Sequence, residues 1–366
     1  MIAVRAGHEH ESQSGLQRSQ PRIWGALHRA AGARIAAILI HPTSNFMAHY
    51  LLEPLRERGI SALGLNTRYL GSDVALLLER AIQDLGAGVN WLRAQGFERI
   101  VLIGNSGGGA LVSLYQAQAE QLDITATPAG DAIDLRPADL PRAQGIVLSA
   151  AHLGRSRLLS QWIDPAVLDE HDPLASERDL DMFEPANGPP YSPQFLQRYR
   201  AAQRARQARL EHWARARLRQ LRSQPHGPRD QAFIVHRTLA DPRCLDASID
   251  PNDRLPRSSV WGEPRGQNYA ANSMGRYTSL TAFLSQWAAC SRGDGPACLA
   301  RTSVPVLIAE HTADSSTFPC DYDEWQRACA ARAERFALKG GTHYLGGQPA
   351  LISELADRIA QFAQTL

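Results

Sequence analysis

Cysteine is scarce in this sequence: there are five in 366 residues, Cys244, Cys290, Cys298, Cys320 and Cys329, and no Cys-x-x-Cys pair. That spacing excludes a paired-thiolate zinc site or a redox dithiol, and the odd count argues against a disulfide framework. A reduced, cytoplasmic setting is expected. Excess charge of one sign is also missing. Lys+Arg number 39 against 37 Asp+Glu, a net charge of +2, whereas a nucleic-acid surface needs a basic surplus to neutralise phosphates. No apolar run is long enough to span a bilayer, which takes roughly 18 residues; even the stretch 35–40 stops at His41-Pro42. Residues 1–21 are interrupted by Arg5, His8, Glu9, His10, Glu11 and Arg18, so they offer no apolar core for an export signal. The expectation is a soluble protein with neither a nucleic-acid partner nor a transmembrane segment.

What is present suits a folded enzyme. A 44% hydrophobic and 21% charged composition gives ample material for a large core. The length suggests one core with an elaboration. Short aliphatic runs alternate with longer periodic ones, the pattern of strand-helix-strand units and a mainly parallel sheet. Strands are expected at 35–40, 60–65, 99–103, 145–150, 304–309 and 334–338. A helix is expected over 46–58, closed by Gly59. A second, opened by Ser72 or Asp73, carries Leu78, Ile82, Leu85, Val89 and Leu92 on one face. Others follow over 110–121 and at the C-terminus, where Ile352, Leu355, Ile359 and Phe362 share a face.

About 150 residues separate the strand at 145–150 from the one at 304–309, too many for a structureless loop. The chain is therefore divided into a first core part, 1–150, an inserted cap, 151–300, and a second core part, 301–366. Within the cap, 194–222 lacks Pro and Gly and reads as one long helix or a broken pair. Its nine arginines have only Glu211 as a local counter-charge. They read as a solvated face, with Phe195, Tyr199, Leu210 and Trp213 packed inward. Trp162, Phe183, Tyr191, Trp261, Tyr269, Tyr277, Phe283 and Trp287 read as the cap's own core. Asp246, Asp250, Asn252 and Asp253 lack the spacing of a calcium loop, because Arg254 falls at the fifth position. Salt bridges with Arg243 and Arg254 are expected instead.

The chemistry concentrates at strand ends. Gly104-Asn105-Ser106-Gly107-Gly108 follows an aliphatic strand and opens a helix, the context in which Gly-x-Ser-x-Gly forms a nucleophile elbow. The glycines remove Cβ atoms that would collide with the adjoining strand and helix, and the helix start turns its amides toward the reacting centre. A serine hydroxyl needs a base, and the base needs a carboxylate to orient it. Asp314, a few residues past the strand at 304–309, is the leading acid, with Glu310, Asp321 and Asp323 as rivals. His343, in a glycine-flanked loop after the last strand, is the leading base, with His311 as its rival. Two backbone donors for an oxyanion are expected from Gly107 and from the loop 41–45, where Thr43 is favoured and Ser44 is the alternative. His41 reads either as a packed strand-end histidine or as a direct participant.

With the elbow, the late Asp and the final-loop His in this order, the chain resembles the α/β-hydrolase superfamily of serine esterases and lipases over 34–150 and 301–366. The resemblance implies a mainly parallel sheet flanked by helices, with a largely helical cap inserted between two core strands. It also implies a triad of Ser106, Asp314 and His343, backbone donors at Gly107 and Thr43, an acyl-enzyme mechanism and no cofactor or metal. One departure stands out: many members carry His-Gly at the oxyanion loop, and here the pair is His41-Pro42, whose proline has no N–H. The expected activity is cleavage of an ester-like bond in a small or medium organic molecule. Thioester, amide or carbon-carbon bond hydrolysis by the same triad is the alternative, as is a ligand-binding protein that keeps the fold without catalysis.

Overall fold

The run 35–40 has no polar face, and a strand without one must be covered on both sides. In the computed structural model, which describes residues 1–4 and 21–366, that strand lies inside a seven-stranded sheet. Of the N-terminal charges discussed above, Arg5, His8, Glu9, His10, Glu11 and Arg18 lie outside the described residues. The strands are β1 (Gly25–His28), β2 (Ile35–His41), β3 (Ser61–Asn66), β4 (Arg99–Asn105), β5 (Gly145–Ser149), β6 (Val306–His311) and β7 (Ala333–Leu338). Their order is β7-β6-β5-β4-β2-β3-β1. All neighbours are parallel except β1, which pairs antiparallel with β3.

Side chains alternate across this sheet with the period of two that a strand imposes. Ile38, Ile40, Leu102 and Leu148 face helices α2 (Leu78–Ala94) and α3 (Gly108–Glu120). Leu39, Val101, Ile103 and Val147 face the opposite layer. That layer is made by α1 (Leu52–Glu57) and the C-terminal helix α9 (Pro349–Thr365). Truncating a fully buried residue such as Ile38 to Ala would cost about 2 to 5 kcal/mol.

Two helix starts differ from the sequence pattern for local reasons. Helix α1 begins at Leu52 rather than near 46, because side chains capture the preceding amides: Phe46 N–H donates to Asn66 Oδ1 and Met47 N–H to Asn45 Oδ1. Helix α2 begins at Leu78 rather than after Ser72 or Asp73. Asp73 is turned away to the Arg155 guanidinium, 2.9 Å distant, and the Leu78 amide bonds Ser285 Oγ.

Between β5 and β6 runs a mostly helical insertion. It contains α4 (Arg155–Trp162), the long α5 (Pro193–Arg222), α6 (Leu280–Gln286) and α7 (Gly295–Leu299). Two small antiparallel strand pairs accompany them. Helix α5 is a single uninterrupted helix capped by Ser192, whose hydroxyl accepts from Phe195 N–H. Its Leu210, Ala214, Leu218 and Leu221 pack on Phe283, Leu284 and Trp287 in a core separate from the sheet's. The arginines of α5 find counter-charges from distant segments. Arg200 pairs with Asp241, Arg206 with Glu170 and Arg222 with Asp131. Trp213 departs from the inward-packing expectation: it is exposed, with its ring edge-on to Phe233.

Arg243 pairs with Asp241 and Asp250, while Arg254 bonds the Asn252 side chain and nearby carbonyls. Helix α8 (Pro319–Cys329) follows β6. No helix among the described residues is long and apolar enough to cross a membrane.

Candidate active site

Ser106 sits where β4 ends and α3 begins, with φ of +55°, a conformation uncommon for a residue with a side chain. The surroundings hold it there. Its N–H donates to the carbonyls of Ser149 and Ala150, and its own carbonyl accepts from Gly109 and His152 N–H. The turn is passable only without side chains beside it: a Cβ on Gly108 would meet Ile40 O at 2.1 Å, and one on Gly104 would meet Gly108 O at 2.6 Å. The sheet and helix therefore close on the turn and push the Ser106 hydroxyl out at the carboxyl ends of the strands.

His343 lies in the loop between β7 and α9, and its Nε2 is 3.0 Å from Ser106 Oγ. Its Nδ1 is 2.7 Å from Asp314 Oδ2. Asp314 is fully buried three residues after β6. It also accepts from Ser316 N–H at 2.7 Å and from the Thr317 hydroxyl at 2.6 Å. Burial alone would raise its carboxyl pKa, but the His343 imidazole and the Thr317 hydroxyl outweigh it and hold the group below its ordinary value. A carboxylate so held fixes the imidazole with Nδ1–H toward Asp314, leaving Nε2 free to accept the serine proton.

The rival residues are engaged elsewhere. Glu310 pairs with Arg335 at 2.7 Å, and Asp323 pairs with the same guanidinium. Asp321 accepts from the Phe318 amide at the start of α8. His311 is buried against Ser149 Oγ at 3.0 Å and donates from Nδ1 to the Thr342 carbonyl, bracing the residue before His343.

The oxyanion-loop expectation needs correction. Thr43 and Ser44 direct their amides at His41 Nδ1, at 3.1 and 2.9 Å, so neither N–H faces the serine. Thr43 is therefore not the second backbone donor in this arrangement. The strand-end Asn66-Thr67 pair keeps the loop in place: the Thr67 hydroxyl donates to Pro42 O, and Asn66 Nδ2 donates to Asn45 Oδ1. Gly107 lies at the N-terminus of α3, as the sequence places it, and its amide has no hydrogen-bond partner among the described residues.

Sequence reasoning missed one residue beside the serine. His152 follows β5, and its Nδ1 lies 3.5 Å from Ser106 Oγ while its Nε2 lies 2.5 Å from Ser316 Oγ. Its ring stacks on His343 with centroids 5.5 Å apart. Burial, reinforced by His343, lowers its pKa to about 3, so it is a neutral imidazole. His152 thus bridges Ser106 Oγ and the hydroxyl of Ser316, the residue whose backbone N–H donates to Asp314. The available signal was its place three residues past the strand next to β4, since ligand-facing groups gather at such ends.

A cavity of about 350 Å³ opens over Ser106, roofed by Leu158, Val260, Trp261 and Met274 from the insertion. Trp261, read from sequence as interior to the insertion, instead faces this space and donates from Nε1 to Tyr344 OH at 3.3 Å. Arg155 forms a buried wall, held by Asp73 and Gln286 and stacked on Trp287. Among the described residues no cluster of His, Cys, Asp and Glu is arranged to hold a metal.

No protein-family model matches the sequence, and no curated protein matches it either. Solved structures match it in shape. DcsB, in complex with its substrate analogue, is 14% identical with a TM-score of 0.50, covering 94% of each chain. The monoacylglycerol lipase of Paleococcus ferrophilus is 15% identical over 93% of this chain and 98% of its own, with a TM-score of 0.48. The proline iminopeptidase of Mycobacterium smegmatis is 16% identical over 94% of each chain, with a TM-score of 0.44. The chain has the α/β-hydrolase fold. In this α/β-hydrolase framework Ser106 occupies the turn after the central strand, and the 150–305 segment is an elaboration between two sheet strands.

Proposed function

We propose that the protein is a serine hydrolase that cleaves an ester-like bond in a small or medium organic substrate through an acyl-enzyme on Ser106. The observation that carries this reading is the continuous hydrogen-bonded line from Ser106 Oγ through His343 to the buried Asp314 carboxylate, at 3.0 and 2.7 Å. In the first step Ser106 Oγ attacks the carbonyl carbon while His343 Nε2 takes its proton; collapse then breaks the bond to the leaving group, which receives that proton. Water enters in the second step, with His343 acting again as base, and releases the acid. No cofactor takes part.

The insertion acts as a cap that limits substrate size, a reading supported by the four side chains it places over the serine. The five cysteines are all free thiols, which supports a reducing, cytoplasmic location. Turnover of p-nitrophenyl acetate tests the reading. Activity in the unmutated protein that disappears in Ser106→Ala, with the melting temperature unchanged, is the expected result. Activity that survives the substitution would defeat the assignment.

A further inference from the structure

Acyl transfer through a tetrahedral intermediate needs two donors for the oxyanion, and the first three residues after His41, Pro42, Thr43 and Ser44, offer no backbone N–H for the second. Pro42 has none, and those of Thr43 and Ser44 are both committed to His41 Nδ1. That commitment determines the state of the imidazole. A ring nitrogen accepting from two N–H groups bears no proton, so the proton of the neutral ring is on Nε2. Burial, with the Arg155 guanidinium adding to it, lowers the ring's pKa well below the ordinary value and keeps it from taking a second proton.

His41 Nε2–H has no hydrogen-bond partner among the described residues, and His41 lines the cavity together with Ser106 and Gly107. Its distance from the elbow is small: a Cβ on Gly107 would lie 2.9 Å from Nε2. The ring is also rigid, clamped by two amides on one side and stacked on Phe46 with centroids 5.9 Å apart.

We propose that the oxyanion hole is formed by Gly107 N–H and the side-chain Nε2–H of His41, the imidazole standing where a second backbone amide would otherwise serve. This rests on the serine-hydrolase reading. As Ser106 Oγ bonds to the carbonyl carbon, the carbonyl electron pair moves to oxygen and the serine proton goes to His343. The new oxyanion accepts from Gly107 and His41, and His41 keeps its proton throughout. On collapse the pair re-forms the carbonyl, the leaving-group bond breaks, and His343 protonates the leaving group. A fixed neutral donor stabilises the developing charge without reorganising at the moment of reaction.

The substitution that separates this role from loop support is His41→Asn. The Asn Oδ1 stands where Nδ1 stands and accepts from Thr43 and Ser44, but nothing replaces Nε2. For H41N on p-nitrophenyl acetate, kcat should fall about 10²- to 10³-fold, the effect of losing one oxyanion donor, with KM nearly unchanged. Affinity for a trifluoromethyl ketone, which forms an oxyanion on Ser106, should fall by a similar factor, while the corresponding unreactive alcohol binds as before. In the unmutated protein the His41 Nε2–H proton resonance should move downfield when the trifluoromethyl ketone adds, a readout independent of any variant's folding. Wild-type kcat and ketone affinity in H41N, or a resonance that does not move, would overturn the proposal. An unmutated protein that neither turns over the ester nor captures the ketone would overturn the serine-hydrolase reading along with it.

Discussion

Beneath the cavity, Ser106, Asp314 and His343 stand on the turns that leave β4, β6 and β7, three of four successive strands of one sheet, and each is tied to its neighbours by several hydrogen bonds. Above it, Val260, Trp261 and Met274 come from stretches with only short elements, and Trp261 is 37% exposed. The floor is overdetermined by the sheet, whereas the roof rests on side-chain contacts such as the Trp261–Tyr344 hydrogen bond and the edge of Trp162. On the serine-hydrolase reading proposed here, chemistry and selectivity are therefore separable: floor substitutions should act on kcat, and roof substitutions on KM and acyl-chain preference.

The largest break in that comparison is expected from Ser106→Ala, which should lower kcat on an activated ester by about 10⁴- to 10⁶-fold in steady-state assays. Asp314→Asn should cost on the order of 10⁴-fold, because an amide lets the imidazole adopt the wrong tautomer. His152→Ala should cost about tenfold in kcat, the worth of one hydrogen bond near 1.4 kcal/mol, since His343 still reaches Ser106 without it. Trp261→Ala should leave kcat on p-nitrophenyl acetate alone and change KM for long-chain esters by about fivefold, as the loss of one apolar contact implies. A matching loss of kcat in Trp261→Ala would show that roof and floor are coupled.

The sheet and the serine, histidine and aspartate positions were legible because they follow from short-range pattern: aliphatic runs with strand length, a glycine-flanked serine, and polar residues a fixed distance past a strand. The orientation of the Thr43 amide was not, because it depends on which way the His41 ring turns, a matter of packing against Phe46. The starts of α1 and α2 were hidden for a similar reason. Asn66 and Asp73 act on groups remote in sequence, the Phe46 amide and the Arg155 guanidinium. In the insertion, the aromatic residues alone could not separate Trp287, interior to a core, from Trp261, which faces the cavity.

The smallest expected effect concerns pH. His152 is buried and His49 is half-buried with its Nε2 shut off from solvent, and loss of hydration is the main reason each has a pKa near 3 rather than the ordinary 6.5. Between those values the unfolded chain binds protons that the folded one does not, so their influence lowers stability as pH falls from about 6.5 toward 3 and is absent above that range. Urea midpoints measured from pH 7 to pH 4 should decline, and the decline should be shallower in His49→Phe. An identical slope in that variant would contradict the burial argument for His49.

Reaction with a fluorophosphonate probe at neutral pH, followed by peptide mapping, tests the central claim most directly. Prompt labelling confined to Ser106, and absent in Ser106→Ala, is the predicted result. Absence of labelling, or a label on any other serine, would contradict the account.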